Sequence, residues 1–189
     1  MSQFLRAGII AGRRQLAALV ALMLVLLLVT PQDYFTQNSS APNKAEILRR
    51  RVGAQRRALT ASALKPQGLP AHALAALAIA LARGGIDYVK DDHSLADQAY
   101  SPYAARIDAI QTALRRHGSL TRYVPSLSGD LESMRGQIAA ARNVGIDTVM
   151  VAPMIAGLSN VHRLVREHPG IAFLAHPSLA GSRIAPPLL

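Results

Sequence analysis

A chain of 189 residues, half of them hydrophobic, is long enough for one domain with a real core. Cysteine is absent, which excludes disulfides and cysteine-based metal sites. The net charge of +10 is uneven: residues 1–57 hold 9 Lys/Arg and 2 Asp/Glu, residues 58–189 hold 12 and 9, so the basic character belongs mostly to the leading segment.

That segment opens with Arg6, Arg13 and Arg14, followed by an apolar run from Leu16 to Val29 that Thr30-Pro31 ends. The run is 14 residues long, short of the roughly 20 that span a bilayer. It suits the apolar core of a signal peptide, but Pro31-Gln32-Asp33-Tyr34-Phe35 offers no small-x-small cleavage site. An anchor lengthened through Ile9 and Ile10 would bury Arg13 and Arg14, which is costly. Signal or anchor stands against a buried helix or a fused leader, with membrane contact through residues 16–29 left open. The expected organisation is a hydrophobic leader or anchor helix over 1–31, a polar and basic linker over 32–57, and a (β/α) unit over 58–189. Arg49, Arg50, Arg51, Arg56 and Arg57 could hold phosphates or anionic lipid. They lack interleaved aromatics and any nucleic-acid motif, so a solvated basic face is favoured and no nucleic acid is expected.

From Leu59 the chain alternates. Leu59–Leu64 reads as a strand, Pro70 to Arg83 as an Ala/Leu-rich helix, and Ile86, Tyr88 and Val89 as a short buried strand. A second helix runs from Ser101-Pro102 to His117 and stops at Gly118. Arg122–Ser126 is a third strand, and Asp130 caps a third helix reaching Val144. Thr148–Ala152 is a strand ended by Pro153, Leu158–His168 a fourth helix, and Ile171–Ala175 a fifth strand that delivers His176.

Strands alternating with helices of this length predict βαβ units and a parallel sheet. The strand ends at Lys65, Lys90, Ser126, Ala152 and His176 are 25, 36, 26 and 24 residues apart. Polar residues at four of those five ends suggest a TIM-type (β/α) barrel with its site on the carboxyl face. A doubly wound sheet would usually carry a Gly-rich phosphate loop after its first strand, and none is present. About five parallel strands cannot close an eight-stranded barrel, so an incomplete barrel is expected, preceded by the hydrophobic N-terminal helix. The stretch Lys90-Asp91-Asp92-His93 follows a strand directly, and reads either as a site at the barrel mouth or as a charged loop.

These residues carry a family likeness. Leu64-Lys65-Pro66-Gln67-Gly68-Leu69 and Gly84-Gly85-Ile86-Asp87-Tyr88-Val89-Lys90-Asp91-Asp92 resemble the barrel of the RuBisCO large-chain superfamily, and more closely its RuBisCO-like branch. Tyr123-Val124-Pro125-Ser126-Leu127-Ser128-Gly129-Asp130, Val149-Met150-Val151 and Ala175-His176-Pro177-Ser178-Leu179-Ala180-Gly181 resemble that branch in order and spacing. The likeness covers about Val52 to Leu189 and does not extend to residues 1–50.

The resemblance implies roles. Lys90 would be carbamylated by CO2 and, with Asp92, would bind Mg2+, since a carbamate turns an ammonium into an anionic oxygen donor for a hard cation. The third ligand is normally glutamate; His93 stands in its place, which opens the site to Mn2+ or another transition ion. Lys65 matches a lysine that acts in proton transfer, and His176 a histidine near the substrate phosphate and the reacting carbons. Against these stand plainer readings: His93 as a surface histidine, His176 as a core or helix-capping histidine, Lys65 as a solvent lysine. Asp91 is expected to support the site, Asp87 to make a structural hydrogen bond, and Arg106 either to pair with the acidic loop or to lie on a solvated face.

The implied activity is that of a RuBisCO-like enzyme acting on a phosphorylated keto-sugar or 3-oxo sugar acid through a metal-bound enediolate. His93 favours decarboxylase or lyase chemistry, with carboxylase, enolase or isomerase as alternatives. The family implies a homodimer in which a small α+β domain closes over the partner's site. A leader and linker occupy that region here, and the later strands are missing, so impairment by truncation is expected. The alternatives are a Schiff-base barrel using Lys65 or Lys90, or a membrane-anchored or anion-binding remnant. A cytoplasmic location is favoured over membrane association.

Overall fold

The computed structural model describes residues 44–182. The apolar run 16–29, the polar stretch up to residue 43 and the apolar end from residue 183 lie outside the described residues, and with them the expected leader helix and its membrane contact. Among the described residues no helix is long and apolar enough to cross a membrane.

The elements follow in the order α1 (Lys44–Arg51), β1 (Ala61–Ala63), α2 (Ala71–Arg83), β2 (Tyr88–Lys90), α3 (Tyr103–His117), β3 (Arg122–Val124), α4 (Leu131–Asn143), β4 (Thr148–Val151), α5 (Pro153–Ala156), α6 (Leu158–Glu167) and β5 (Ala172–Ala175), with a 3-10 turn at Ala180–Ser182. The expected N-cap forms: the Asp130 carboxylate accepts from the Ser133 N–H at 2.8 Å. Pro153 ends β4 as expected and also opens the short α5, a turn the sequence reading did not foresee. Gly157, at φ +86°, separates α5 from α6.

All strand pairs are parallel. Ala61 lies opposite Tyr88, Tyr88 opposite Arg122, and Thr148 opposite Ala172. The two ladders meet between β3 and β4, where Met150 N–H donates to Pro125 O and Leu127 N–H to Met150 O, both at 2.8 Å. The five strands therefore stand side by side in chain order. A doubly wound sheet would reverse its strand order at a switch point, whereas an unreversed order is the arc of a (β/α) barrel.

Period-two alternation along these short strands separates two apolar clusters. Val89, Tyr123, Val149, Val151 and Phe173 pack outward among helix residues such as Leu74, Ile107, Ile110, Met134, Ile138 and Leu164. Tyr88, Val124, Met150 and Leu174 point to the inside of the arc and pack with Leu48, Val52, Ala54 and Leu59. Residues 44–59 thus close the amino end of the arc, where the Tyr88 hydroxyl donates to Leu48 O at 3.0 Å. The arginine cluster is only partly a solvated face. Arg51 donates to Asp147 O and Thr148 Oγ1, both at 3.1 Å, and Arg57 holds both oxygens of Asp87 at 2.6 Å.

Asp87 is buried at the start of β2 and also accepts from Thr60 N–H at 2.8 Å and the Thr60 hydroxyl at 3.0 Å. Burial works against ionisation, but Arg57 and the Thr60 donors outweigh it and hold the carboxyl below its ordinary range. Because the folded pKa lies below the unfolded value near 4, this stabilisation is complete above that value and fades as pH falls through the folded pKa. Arg57 is half-exposed, so screening discounts its share. Asp87→Ala is expected to cost about 2 kcal/mol at pH 7, measured by urea unfolding. The gap to the unsubstituted chain should narrow below about pH 4.

Candidate active site

The same alternation that builds the core places the chemistry. Ala63 pairs with Lys90, and Lys90 with Val124. Lys90 shares the inward parity of Tyr88, and so does Asp92 two residues on. Lys65 continues the parity of Ala61 and Ala63, and His176 that of Leu174. The ladder runs past the strand ends to keep these residues in place. Leu64 N–H donates to Lys90 O at 2.9 Å, Asp91 N–H to Val124 O at 3.0 Å, and His176 N–H to Val151 O at 2.8 Å.

Asp92 is the hub. Its Oδ2 lies 2.5 Å from Lys65 Nζ. Its Oδ1 accepts from Ser94 N–H at 3.1 Å, the Ser94 hydroxyl at 2.7 Å and Gln67 Nε2 at 3.2 Å, and lies 3.3 Å from His93 Nδ1. Burial opposes its charge, but the bonds from Lys65 and Ser94 prevail and hold the carboxyl well below the ordinary carboxylate range. Lys90 is buried and donates to Asp91 O at 3.3 Å. Desolvation lowers its pKa, with Asp92 and Asp91 pulling upward and the Lys65 charge pushing down. A buried amine with a lowered pKa is more often neutral, and so more nucleophilic.

His93 and His176 stack with ring centroids 4.4 Å apart and planes within 10°. His176 Nδ1 receives the Ser178 N–H at 3.2 Å and faces the Ser178 hydroxyl at 2.8 Å. Accepting a backbone N–H makes Nδ1 the unprotonated nitrogen, so the neutral ring carries its proton on Nε2. Burial, then the charges of Lys90 and His93, push its pKa down to about 4, against the pull of Asp92. His176 is therefore neutral at neutral pH. Metal–imidazole bonds lie in the ring plane at about 2.1 Å, so two near-parallel rings cannot both aim at one ion.

Asp91 has the opposite parity and faces away from the site. Both it and Arg106 are fully buried. Asp91 accepts from Arg106 Nε at 3.2 Å, the Tyr123 hydroxyl at 2.6 Å and Ser126 N–H at 3.0 Å, while Arg106 Nη1 donates to Ser101 O at 2.5 Å. Burial pushes the Asp91 carboxyl up, against the pull of Arg106, Tyr123 and Ser126. The same burial, with the Asp91 charge, raises the Tyr123 phenol. Of the two readings left open for Arg106, pairing with the acidic loop is the one observed.

The structure thus brings Lys65, Lys90, Asp92, His93 and His176 together at the carboxyl ends of β1, β2 and β5. Sequence reasoning missed Gln67, Ser94, Ser178 and the Tyr123–Asp91 bond. Ser94 was legible as an Asx turn two residues after Asp92, and Ser178, two residues after His176, is as local; the Gln67–Asp92 and Tyr123–Asp91 bonds connect residues too far apart in the chain to announce themselves. Among the described residues no group of three or more His, Cys, Asp or Glu gathers to hold a metal ion. Asp92 and His93 supply two donors and Asp91 is engaged elsewhere. The set fits a divalent ion only if Lys90 adds a third, and an amine becomes an anionic oxygen donor only when modified.

Residues 44–183 match the family described as ribulose bisphosphate carboxylase large chain, catalytic domain. The chain is 54% identical over 170 residues to the 5-methylthioribulose-1-phosphate isomerase of Rhodospirillum rubrum, a match covering 86% of this chain and 46% of that protein. It is also 54% identical over 147 residues to the ribulose bisphosphate carboxylase-like protein 1 of Rhodopseudomonas palustris, covering 75% and 40%. The crystal structure of a Rubisco-like protein from Rhodopseudomonas palustris superposes with a TM-score of 0.67 at 52% identity, covering 70% of this chain and 39% of the other. The chain spans less than half the length of these relatives.

Removing the guanidinium behind the loop leaves Asp91 buried without its charge partner. Arg106→Met is expected to cost about 3 kcal/mol or more in urea unfolding. Asp91→Asn paired with Arg106→Met should recover part of that loss, because no unpaired charge then remains.

Proposed function

The chain belongs to the ribulose bisphosphate carboxylase large-chain family, and from that premise we propose that it is the barrel portion of a RuBisCO-like enzyme that moves a proton next to the carbonyl of a phosphorylated keto-sugar. The observation that carries this reading is the convergence of two lysines, a low-pKa carboxylate and two imidazoles on one barrel rim. The 54% identity to a protein named 5-methylthioribulose-1-phosphate isomerase supports isomerase or enolase chemistry over the carbon–carbon cleavage to which His93 pointed.

Lys90 is the residue to be activated. Its neutral amine adds to CO2, forming the N–C bond of a carbamate and releasing one proton, and the product is an anionic oxygen donor. Carbamylated Lys90, Asp92 and His93 would hold Mg2+, or Mn2+ given the imidazole. When bound, such an ion supplies Lewis-acid polarisation of the substrate carbonyl. Lys65, exposed at the rim, carries the proton to or from the adjacent carbon. Neutral His176 offers its Nε2–H to a substrate oxygen or phosphate, and Ser178 fixes the tautomer that makes this possible. The stacked His93 ring limits how far the His176 ring can turn. A homodimeric assembly and a cytoplasmic setting, where phosphorylated metabolites and magnesium occur, belong to the same proposal.

The test is solvent exchange. In D2O with bicarbonate and Mg2+, the carbon-bound protons beside the carbonyl of 5-methylthioribulose 1-phosphate are expected to wash out, followed by proton NMR. EDTA should stop the exchange, and Lys65→Met should slow it by about 100-fold or more. Exchange that persists in Lys90→Met overturns the activation role of Lys90. Release of CO2 from a phosphorylated 3-oxo sugar acid, without proton exchange on the ketose, would move the assignment to carbon–carbon cleavage.

A further inference from the structure

The two oxygens of Asp92 are held in unlike ways. Oδ1 accepts three hydrogen bonds from neutral donors, the Ser94 N–H and hydroxyl two residues on and the Gln67 amide from the segment after β1. Oδ2 is held by Lys65 Nζ at 2.5 Å. The Asp92 side chain is 3% exposed and the Lys65 side chain 65% exposed. A buried, rigidly oriented carboxylate therefore offers its open oxygen to a cation on a flexible stem that can withdraw into water at little cost. Lys65 and Lys90 are two of only three lysines in the chain, against 18 arginines, so the cation on Asp92 is of the kind that forms point-charge contacts rather than a locked bidentate fork.

A divalent ion bound to Asp92 would sit about 2.1 Å from a carboxylate oxygen. An ammonium resting on the same group would then lie within a few ångströms of it, where like charges repel strongly. We propose that Lys65 is a built-in cation that occupies the Asp92 oxygen until a divalent ion displaces it, so that the site exchanges one cation for another. Lys65 thereby sets the ion concentration at which the site loads. It also becomes free to reach substrate only in the loaded site, which couples ion binding to its role at the reacting carbon. This rests on the metal reading above and adds a regulatory contact to it.

The experiment uses the full chain in bicarbonate buffer, with free Mn2+ followed by electron paramagnetic resonance during titration. Lys65→Met is expected to bind Mn2+ about tenfold more tightly than the unsubstituted chain, the scale of one partly buried ion pair. Lys65→Arg, which keeps a cation on Asp92, should bind no more tightly. Arg83→Met, which removes an exposed charge at the end of α2, corrects for net charge. In parallel, 13Cε-lysine NMR with Mg2+ reads Lys65 directly, with the three signals assigned by single Lys→Arg replacements. The Lys65 signal should move with the same midpoint as ion binding. Binding that is equal or weaker in Lys65→Met, with an unmoved Lys65 signal, overturns the exchange while the metal reading stands. Absence of binding in both chains overturns the metal reading and the exchange together.

Discussion

A buried carboxylate facing away from the cleft holds the site in place. Asp91 is fully buried, turned away from the barrel interior, and bonded to Arg106, the Tyr123 hydroxyl and the Ser126 N–H. These partners come from α3, from β3 and from the loop beyond β3, so one side chain ties three pieces of the barrel arc to the end of β2. An ionised carboxylate in such a place is tolerable only when each oxygen is matched by a donor. The matching leaves the backbone around it little freedom. Because side chains alternate along an extended chain, fixing Asp91 outward turns Lys90 and Asp92 inward. The orientation of Lys90 and Asp92 follows from that of their neighbour.

The charges of the inner rim are arranged on the same principle of one buried group answered by another. Asp92 keeps its negative charge because Lys65 and Ser94 repay its burial. Lys90 is less well answered: its amine is buried, it donates to the neighbouring Asp91 carbonyl, and Lys65 adds a repelling charge. His176 lies against the same positive charges and stays neutral. The rim thus lowers the pKa of one amine and of one imidazole while keeping one carboxylate ionised within one cleft. Proton transfer needs such differences.

Much of the fold was legible because its signals are local. The βα alternation, the Asp130 cap, the end of β4 at Pro153 and the helix stop at Gly118 each depend on a few adjacent residues, and each appears in the structure. The short α5 was not legible, because Pro153 reads equally well as a strand end and as a first helical residue. The arginines at 49–57 were read as a solvated face, since a run of charges does not declare that Asp87 and Asp147 lie far along the chain but near in space. The candidate site was legible as a motif at Lys90-Asp91-Asp92-His93, but not as a geometry.

The amino-acid sequence by itself determined the parallel βα architecture and the family to which these residues belong. Alternating periodicity and short motifs such as Leu64-Lys65-Pro66-Gln67 survive in one dimension. Only the tertiary structure decided that the strands lie in unreversed order, that Asp91 faces outward while Asp92 faces the cleft, and that His93 and His176 stack although 83 residues separate them. The reason is physical. Strand order and side-chain facing depend on hydrogen bonds and burial between distant segments, and those energies are defined only when the segments meet.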